Sequence, residues 1–290
     1  MAKGMMIMSP DKIKIKIDLE KEIARINKNL YGHFAEHLGN CIYDGFWVGE
    51  DSEIENIKGI RKDVITFLKM MKIPVLRWPG GCFADDYHWR DGIGPRTKRP
   101  IRLNRHWNDL ENNHFGTHEF MLLCELLNCD PYICGNMGSG TVKEMAQWIE
   151  YLNYDKETTL TRERAENGHS EPFNVYYWGV GNENWGCGGN MSPQYYANEF
   201  KRYATYTQWR EGNDLYKIAC GANSFDYKWT RKFFETISGK TCDCASHQNM
   251  VDGYSFHYYC GSTGSATEYS DLEWYTLLMK AIAIEELIIE

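Results

Sequence analysis

Apolar residues recur along this chain with two different periods, which predict strands that alternate with helices. Near the start, "KIKIKIDL" sets Ile13, Ile15 and Ile17 between lysines. This period of two predicts a strand with one solvated face and one buried face. Further on, residues 61–72 ("RKDVITFLKMMK") carry apolar side chains at the spacing of one helix face.

From Leu30 onward the change from strand to helix occurs six times. The predicted strands lie in "LYGHFAEHLG", "PVLRWPGG", "DPYICGNMGSG", "FNVYYWGVGNE", "YKIACGANS" and "VDGYSFHYY". The helices that follow them lie in "RKDVITFLKMMK", "THEFMLLCELLN", "TVKEMAQWIEYLN", "SPQYYANEFKRYATYTQWR", "YKWTRKFFETI" and "DLEWYTLLMKAIAIEELIIE", the last running to Glu290. Ser192 is a predicted N-cap with Pro193 at the first helical position. This order predicts an α/β fold in which helices cover a parallel sheet.

The residues with the richest chemistry fall where strands become loops. They are Glu36, Arg77, Asn136, Glu183, Asn223, His257 and Tyr259. In a (β/α)8 barrel, the carboxyl ends of the strands meet at one mouth, where active sites are built. A doubly wound sheet would also explain the alternation, but the sequence has neither a GxGxxG fingerprint nor a phosphate-binding loop. Six of the eight units of a closed barrel are recognised.

Composition narrows the class of ligand. Ten tryptophans and nineteen tyrosines exceed what a core of this size needs, and a surplus of aromatic rings suits a cleft that stacks on sugars. The formal net charge of −8, without basic blocks, disfavours a nucleic-acid partner. The apolar stretch before Ser9 is too short for a signal peptide, and no segment has the length to span a membrane. We therefore expect a cytoplasmic enzyme.

The ten cysteines are scattered through apolar and motif segments. In a chain without an export signal, this pattern predicts reduced thiols and no disulfides. One cluster has ligand-like chemistry, namely Cys242, Cys244 and His247 in "CDCASH". It lacks the paired CxxC spacing of a structural zinc site, so we expect a loop there and no metal.

Glu183 stands in "YYWGVGNENWGCGG", at the end of a β-rich aromatic run. A carboxylate beside Trp185 is partly desolvated, which favours the protonated form that a general acid needs. The preceding Asn182 offers an amide that can hold a sugar hydroxyl. The alternative is a structural ion pair between Glu183 and an arginine such as Arg77.

A second dense patch is "LRWPGGCFADDYHWRDGIGPR". The planar fork of Arg77 can reach a ligand or orient a carboxylate. Asp85, Asp86 and Asp91 lack the regular pattern of an octahedral metal site, and loop salt bridges are expected for them. Ser139 lies outside any GxSxG elbow, which argues against serine hydrolase chemistry.

Five motifs in order, "YGHFAEHLG", "LRWPGG", "HWRDGIGPR", "WGVGNENWG" and "SFHYY", resemble glycoside hydrolase family 51, the α-L-arabinofuranosidases. The resemblance covers nearly the whole chain. It implies a (β/α)8 barrel with the acid/base after strand four and the nucleophile after strand seven. It also implies a β-sandwich that includes an N-terminal strand. The expected domains are therefore residues 1–27, one strand of the sandwich, and residues 28–290, an incomplete barrel of about six βα units.

The resemblance also implies roles for individual residues. Glu183 matches the acid/base, and Asn182 matches the ligand of the sugar's 2-hydroxyl. Glu36 matches the carboxylate that grips the arabinose hydroxyls, and Arg77 matches the arginine that supports the catalytic carboxylates. The remaining matches are Trp107 as an aromatic wall of the pocket and Tyr259, with His257 beside it, near the nucleophile.

This chain departs from the family's pattern in two places. Cys82 stands where many relatives carry an asparagine that touches the sugar. The segment resembling "DEW" that bears the nucleophile is not found up to Glu290, and Glu285 and Glu286 lie in an exterior helix. We therefore expect the nucleophile beyond Glu290 and a 290-residue chain that is inactive alone.

The resemblance thus implies a retaining, exo-acting α-L-arabinofuranosidase that releases terminal non-reducing arabinose from arabinoxylan or arabinan. It needs no cofactor or metal, and its partners are arabinose-containing oligosaccharides rather than nucleic acid or membrane. The complete protein is expected to be a homo-oligomer. Two alternatives remain open, an endo-β-1,4-glucanase on the same scaffold and an inactive sugar-binding fragment.

Overall fold

The computed structural model describes residues 18, 20–22, 24–208, 215–239, 250–261, 264–265 and 267–289. The cluster of Cys242, Cys244 and His247 lies outside the described residues, as does the predicted strand "KIKIKIDL" except for Asp18. The strand of a β-sandwich in residues 1–27 therefore stays a prediction.

Ten strands and eight α-helices occur within these described ranges. The strands are β1 (His33–Phe34), β2 (Asn56–Ile57), β3 (Ile60–Arg61), β4 (Val75–Trp78), β5 (Arg102–Asn104), β6 (Asp109–Glu111), β7 (Asp130–Gly135), β8 (Tyr177–Val180), β9 (Tyr216–Asn223) and β10 (Gly253–His257). The helices are α1 (Lys62–Met71), α2 (Thr117–Leu127), α3 (Val142–Asn153), α4 (Thr159–Glu166), α5 (Pro193–Tyr206), α6 (Tyr227–Ser238), α7 (Asp271–Ile282) and α8 (Ile284–Ile289).

Six strands form one parallel sheet in the order β1-β4-β7-β8-β9-β10. They are the six strands that the alternating pattern predicts, and each is followed by at least one helix. The register sets Val180 of β8 beside Gly135 of β7 and Ala219 of β9. Strands β7 and β8 therefore end level, and because all six strands are parallel, the loops that follow them leave from one end of the sheet.

Two short antiparallel hairpins, β2–β3 and β5–β6, were not predicted. The helix α4 was also missed. The final helix was predicted to be continuous, but it is interrupted at Ala283, between α7 and α8. The ends of other helices follow local chemistry, since the side chain of Ser192 accepts the Tyr195 N–H and Pro193 begins α5.

Aromatic side chains form the centre of the core between the sheet and its helices. The rings of Trp148 and Trp178 meet edge to face with centroids 5.3 Å apart, and Trp78 stacks on Phe120 at 4.9 Å. All four are buried. Part of the aromatic surplus therefore lies in the core rather than in a cleft. In the described part of the chain, no helix has both the length and the apolarity to cross a membrane.

Candidate active site

Glu36 follows β1 and lies against the loop after β4. Its Oε1 accepts the Phe83 N–H at 3.1 Å and the Trp107 Nε1–H at 3.3 Å. Only glycine fits at position 80, where the backbone passes close to Glu36, because a Cβ there would stand 2.7 Å from the Glu36 Cγ. The "PGG" motif thus leaves room for a buried carboxylate, in a loop that follows the cis peptide bond Trp78–Pro79.

Trp107 reaches the site on the hairpin of β5 and β6. Asn104 anchors this hairpin by donating from Nδ2 to the His37 carbonyl at 2.8 Å, and it accepts the Trp107 N–H at 3.3 Å. The indole is partly exposed. Its ring therefore lies beside Glu36, and its role as an aromatic wall of the pocket stays a prediction.

A buried network fixes the backbone next to Glu36. His37 pairs through Nδ1 with Glu111 Oε2 at 2.6 Å, and its Nε2 accepts the Trp78 Nε1–H at 3.0 Å. Tyr43 donates its hydroxyl to the other oxygen of Glu111. Because every polar atom of the His37 ring has a partner, its orientation is set from both sides.

Arg77, at the end of β4, points toward β8. Its Nη2 donates to Asn182 Oδ1 at 2.5 Å, and its guanidinium lies 4.7 Å from the centroid of the Phe34 ring. Among the hydrogen bonds described, Arg77 has none to Glu183, so the ion pair considered from the sequence is not formed. Arg77 instead orients the amide of Asn182.

Glu183 follows β8 in an unusual backbone conformation. Its φ angle is 44°, in the left-handed region that costs a residue other than glycine about 1–3 kcal/mol and persists only where its surroundings hold it. Its Oε1 lies 2.6 Å from Nδ1 of His257, and its side chain is 16% exposed. The carboxyl group is thus held by His257 through one oxygen and remains partly exposed to solvent.

The residues around Glu183 are anchored by hydrogen bonds, with Asn184 fully buried and Trp185 partly buried. Asn184 donates from Nδ2 to the Gly188 carbonyl at 2.7 Å, and its backbone N–H lies 3.3 Å from the Cys220 sulfur. Trp185 donates from Nε1 to the Gly221 carbonyl at 2.9 Å. The loop is therefore tied back onto itself and onto β9.

The prediction of loop salt bridges is right for two of the three aspartates. Asp86 pairs with Arg105 at 2.7 Å, and Asp91 pairs with Arg102 at 2.8 Å. Asp85 was misassigned. It is 3% exposed and accepts N–H groups from the loops after β7 and β8. Burial raises the pKa of Asp85 to about 7, against the opposing pull of these donors.

The prediction that all cysteines are reduced is wrong. Cys82 and Cys187 form a disulfide with their Cα atoms 5.4 Å apart, although 105 residues separate them in sequence. The physical reason is the fold, because β4 and β8 flank β7 in the parallel sheet and the loops that follow them leave from the same end. Since Phe83, next to Cys82, donates to Glu36, and the Cys187 sulfur lies 3.5 Å from Glu183 Oε2, the two glutamates lie at the same end of the sheet.

In the described part of the chain, a possible metal-ligand cluster consists of Cys82, Glu183 and Cys187, whose ligand atoms lie within 4.8 Å of one another. The two sulfurs are bonded to each other, and a disulfide does not offer the thiolates that bind metals.

The structure brings together Glu36 with Trp107, Arg77 with Asn182, and Glu183 with His257. His257 is the last residue of β10. Tyr259 lies two residues further on and is 80% exposed, and its place near the mouth stays a prediction. Sequence reasoning missed Asp85 and the disulfide, both of which depend on contacts between distant loops.

The chain is similar in sequence and in fold to known α-L-arabinofuranosidases. The family described as "Alpha-L-arabinofuranosidase 1 domain" matches residues 67–276. The chain belongs to the glycoside hydrolase family 51 α-L-arabinofuranosidases. Its (β/α)8 architecture, of which six units form the parallel sheet, is shared with solved members of this family and confirms the predicted fold.

One relative is the intracellular exo-α-L-arabinofuranosidase of Bacteroides ovatus. The chain is 49% identical to it over 282 residues, which are 95% of this chain and 52% of the relative. The GH51 arabinofuranosidase of Xanthomonas axonopodis pv. citri superposes with a TM-score of 0.87 at 44% identity, covering 93% of this chain and 54% of that one.

A third similar protein is the α-L-arabinofuranosidase of Thermotoga maritima, solved in complex with arabinose. It superposes with a TM-score of 0.74 at 38% identity, covering 89% of this chain and 51% of its own. The chain thus spans about half the length of the family members that it matches.

Proposed function

We propose that the full-length protein is a retaining, exo-acting α-L-arabinofuranosidase that removes terminal non-reducing arabinofuranosyl groups from arabinoxylan or arabinan fragments. Membership of family 51 and similarity to an enzyme named as exo-acting support this proposal. The observation that carries it is the position of Glu183. This carboxyl group is partly exposed at the end of β8, hydrogen-bonded to His257, and at the same end of the sheet as Glu36.

Glu183 serves in this proposal as the general acid/base. It protonates the leaving-group oxygen, and then it removes a proton from the water that hydrolyses the glycosyl-enzyme. His257 orients the carboxyl group through the 2.6 Å contact with its Oε1. A retaining enzyme needs a nucleophile whose carboxyl group is about 5–5.5 Å from that of the acid/base. We propose that this group belongs to a strand beyond Glu290.

The other predicted residues bind the sugar. Glu36 accepts hydrogen bonds from arabinose hydroxyls, while Trp107 forms an apolar wall beside it. Asn182 holds the 2-hydroxyl, with its amide oriented by Arg77. Tyr259 and His257 complete the side of the site nearest β10.

We propose further that the protein is cytoplasmic, as the name of the Bacteroides ovatus relative supports. Its partners are arabinose-containing oligosaccharides rather than nucleic acids or membranes, it uses no cofactor, and the complete protein is a homo-oligomer. Residues 1–290 alone are expected to be inactive, since the proposed nucleophile lies outside them.

Hydrolysis of 4-nitrophenyl α-L-arabinofuranoside and of carboxymethyl cellulose by the full-length protein tests this function. We expect release of arabinose from the first and no cleavage of the second, and NMR should show that the first product retains the α configuration. Cleavage of the cellulose alone would replace the proposal with an endoglucanase. Affinity for arabinose without turnover would indicate a sugar-binding protein.

A further inference from the structure

The carboxylate of Asp85 joins three loops beneath the candidate site. Asp85 lies in the loop after β4, and its Oδ1 accepts the backbone N–H groups of Met137 at 2.6 Å and Gly138 at 2.7 Å, in the loop after β7. Its Oδ2 accepts the Asn182 N–H at 2.7 Å and the Asn184 Nδ2–H at 3.2 Å, in the loop after β8. All four hydrogen bonds are donated to a single buried carboxylate.

Two of these donors flank Glu183. Asn182 precedes it and Asn184 follows it, and both bond to the same oxygen of Asp85. Glu183 itself has the positive φ angle described above. A strained residue keeps its conformation only if its neighbours are fixed. Asp85 fixes the neighbours on both sides.

The surrounding sequence makes room for this carboxylate. A Cβ on Gly138 would lie 2.8 Å from the Cβ of Asp85, and a side chain on Gly188 would collide with Asp85 Oδ2. A side chain at either glycine would therefore displace Asp85 or the loop. The close fit specifies the short side chain of aspartate.

The next residue, Asp86, has different hydrogen-bond partners. It pairs with Arg105, whose side chain is largely exposed, and it makes no hydrogen bond to the loop after β8 among those the structure describes. The two adjacent aspartates therefore provide a matched pair for experiment.

We propose that Asp85 is a positioning residue for the acid/base. It acts through Asn182 and Asn184 to hold Glu183 in the strained conformation from which its carboxyl group can reach the leaving-group oxygen. This inference rests on the proposed function of Glu183. Asp85 touches no substrate in this account.

The test compares Asp85→Asn with Asp86→Asn in the full-length protein. Asparagine keeps the size of the side chain but turns an amino group toward two of the four donors. Misplacing a catalytic group by about 1 Å costs about 100-fold, and we expect a loss of this size in kcat/KM for arabinan oligosaccharides with Asp85→Asn. The loss should fall mainly on kcat, because Asp85 bonds the backbone N–H of Asn182, whereas Arg77 holds the side-chain amide that binds the sugar in this proposal.

Two readouts separate positioning from general destabilisation. The loss with Asp85→Asn should be smaller for 4-nitrophenyl arabinofuranoside, whose leaving group needs less protonation, and the alkaline limb of the pH–rate profile should move. Asp86→Asn should match the wild type in its leaving-group dependence and in its pH–rate profile. If Asp85→Asn does not fold, Asn184→Ala removes one of the two flanking links and should show the same leaving-group dependence.

The outcomes distinguish this inference from the proposed function. A folded Asp85→Asn protein with the kinetics of Asp86→Asn would overturn the role of Asp85 while leaving the activity intact. If Asp85→Asn does not fold, wild-type leaving-group dependence in Asn184→Ala would overturn it equally. A wild-type protein without activity on either arabinofuranoside would overturn the proposed function, and the inference with it.

Discussion

Two helices of equal length, α3 and α7, are packed very differently. Each has 12 residues and begins at a hydroxyl N-cap, Thr141 or Ser270, whose side chain accepts the N–H of a glutamate three residues later. Yet α3 buries five of its residues, among them Trp148, whereas no residue of α7 is buried by the described chain. Local sequence therefore specifies a helix, and its neighbours decide whether the helix adds to the core.

The candidate site takes residues from both the well-packed part of the chain around α3 and the less buried part that leads to α7. Glu183 leaves β8, whose residues pack under α3 and α5, and the loop that carries it is anchored to Asp85, Gly188 and Gly221 through its neighbours. His257 ends β10, a strand in which every residue is only half-buried. The proposed acid/base thus follows a strand in the packed part of the sheet, and its histidine partner ends a strand that is only half-buried.

The largest difference in stability is expected when one tryptophan is replaced in the packed part and one in the part around α7. Trp178 on β8 is 0% exposed, and Trp274 on α7 is 58% exposed. Trp178→Ala should lower the free energy of unfolding by about 3–5 kcal/mol, because it leaves a cavity in the core. Trp274→Ala should change it by less than about 0.5 kcal/mol. Urea unfolding of the 290-residue chain measures both, and equal losses would contradict the division.

Removing the disulfide should have the next largest effect. Cys82→Ser is expected to lower the free energy of unfolding by about 2–4 kcal/mol. Without the disulfide the long loop between the two cysteines is no longer closed, so the unfolded chain gains conformational entropy. Cys41→Ser, at a partly buried free thiol, is the control. Peptide mapping without reductant should recover Cys82 linked to Cys187. Recovery of both residues as alkylated thiols would refute the bond.

A partly buried histidine should make the stability of the packed part sensitive to acid. Burial lowers the pKa of His118 on α2 to about 4, and its Nε2 pairs with the Tyr151 hydroxyl at 2.6 Å. The unfolded chain takes up this proton near pH 6.5 and the folded chain does not, so stability falls as the pH drops from about 6.5 toward 4. Between pH 7 and 5, the wild type should lose up to about 2 kcal/mol more than His118→Gln.

The exposed His114 supplies the control for this measurement. His114→Gln should lose stability with falling pH as the wild type does. Identical pH dependence in the wild type and His118→Gln would show that His118 is protonated in the folded protein at pH 5.

Much of the fold follows from local sequence. The apolar period located all six strands of the parallel sheet, and strand ends placed Glu36, Arg77 and Glu183 at one end of it. These features depend on neighbouring residues, which a single sequence displays. The cap at Ser192 was predictable for the same reason.

The missed features depend on residues far apart in the chain. The four donors to Asp85 lie 52 to 99 residues beyond it, and Cys82 is 105 residues from Cys187. Neither has a local signature, since an aspartate beside Asp86 and Asp91 resembles any acidic loop. The break at Ala283 was missed because no proline or glycine marks it in the sequence.

The most direct test of the central claim is the kinetics of Glu183→Ala in the full-length protein. Loss of an acid/base should lower hydrolysis of arabinan oligosaccharides by about 10²–10⁴-fold. Formation of the glycosyl-enzyme from a nitrophenyl substrate should suffer less, and azide should partly restore turnover, because it attacks the intermediate without a general base. Glu166→Ala, at an exposed position on α4, should behave as the wild type. A Glu183→Ala protein that hydrolyses arabinan oligosaccharides at the wild-type rate would contradict the account.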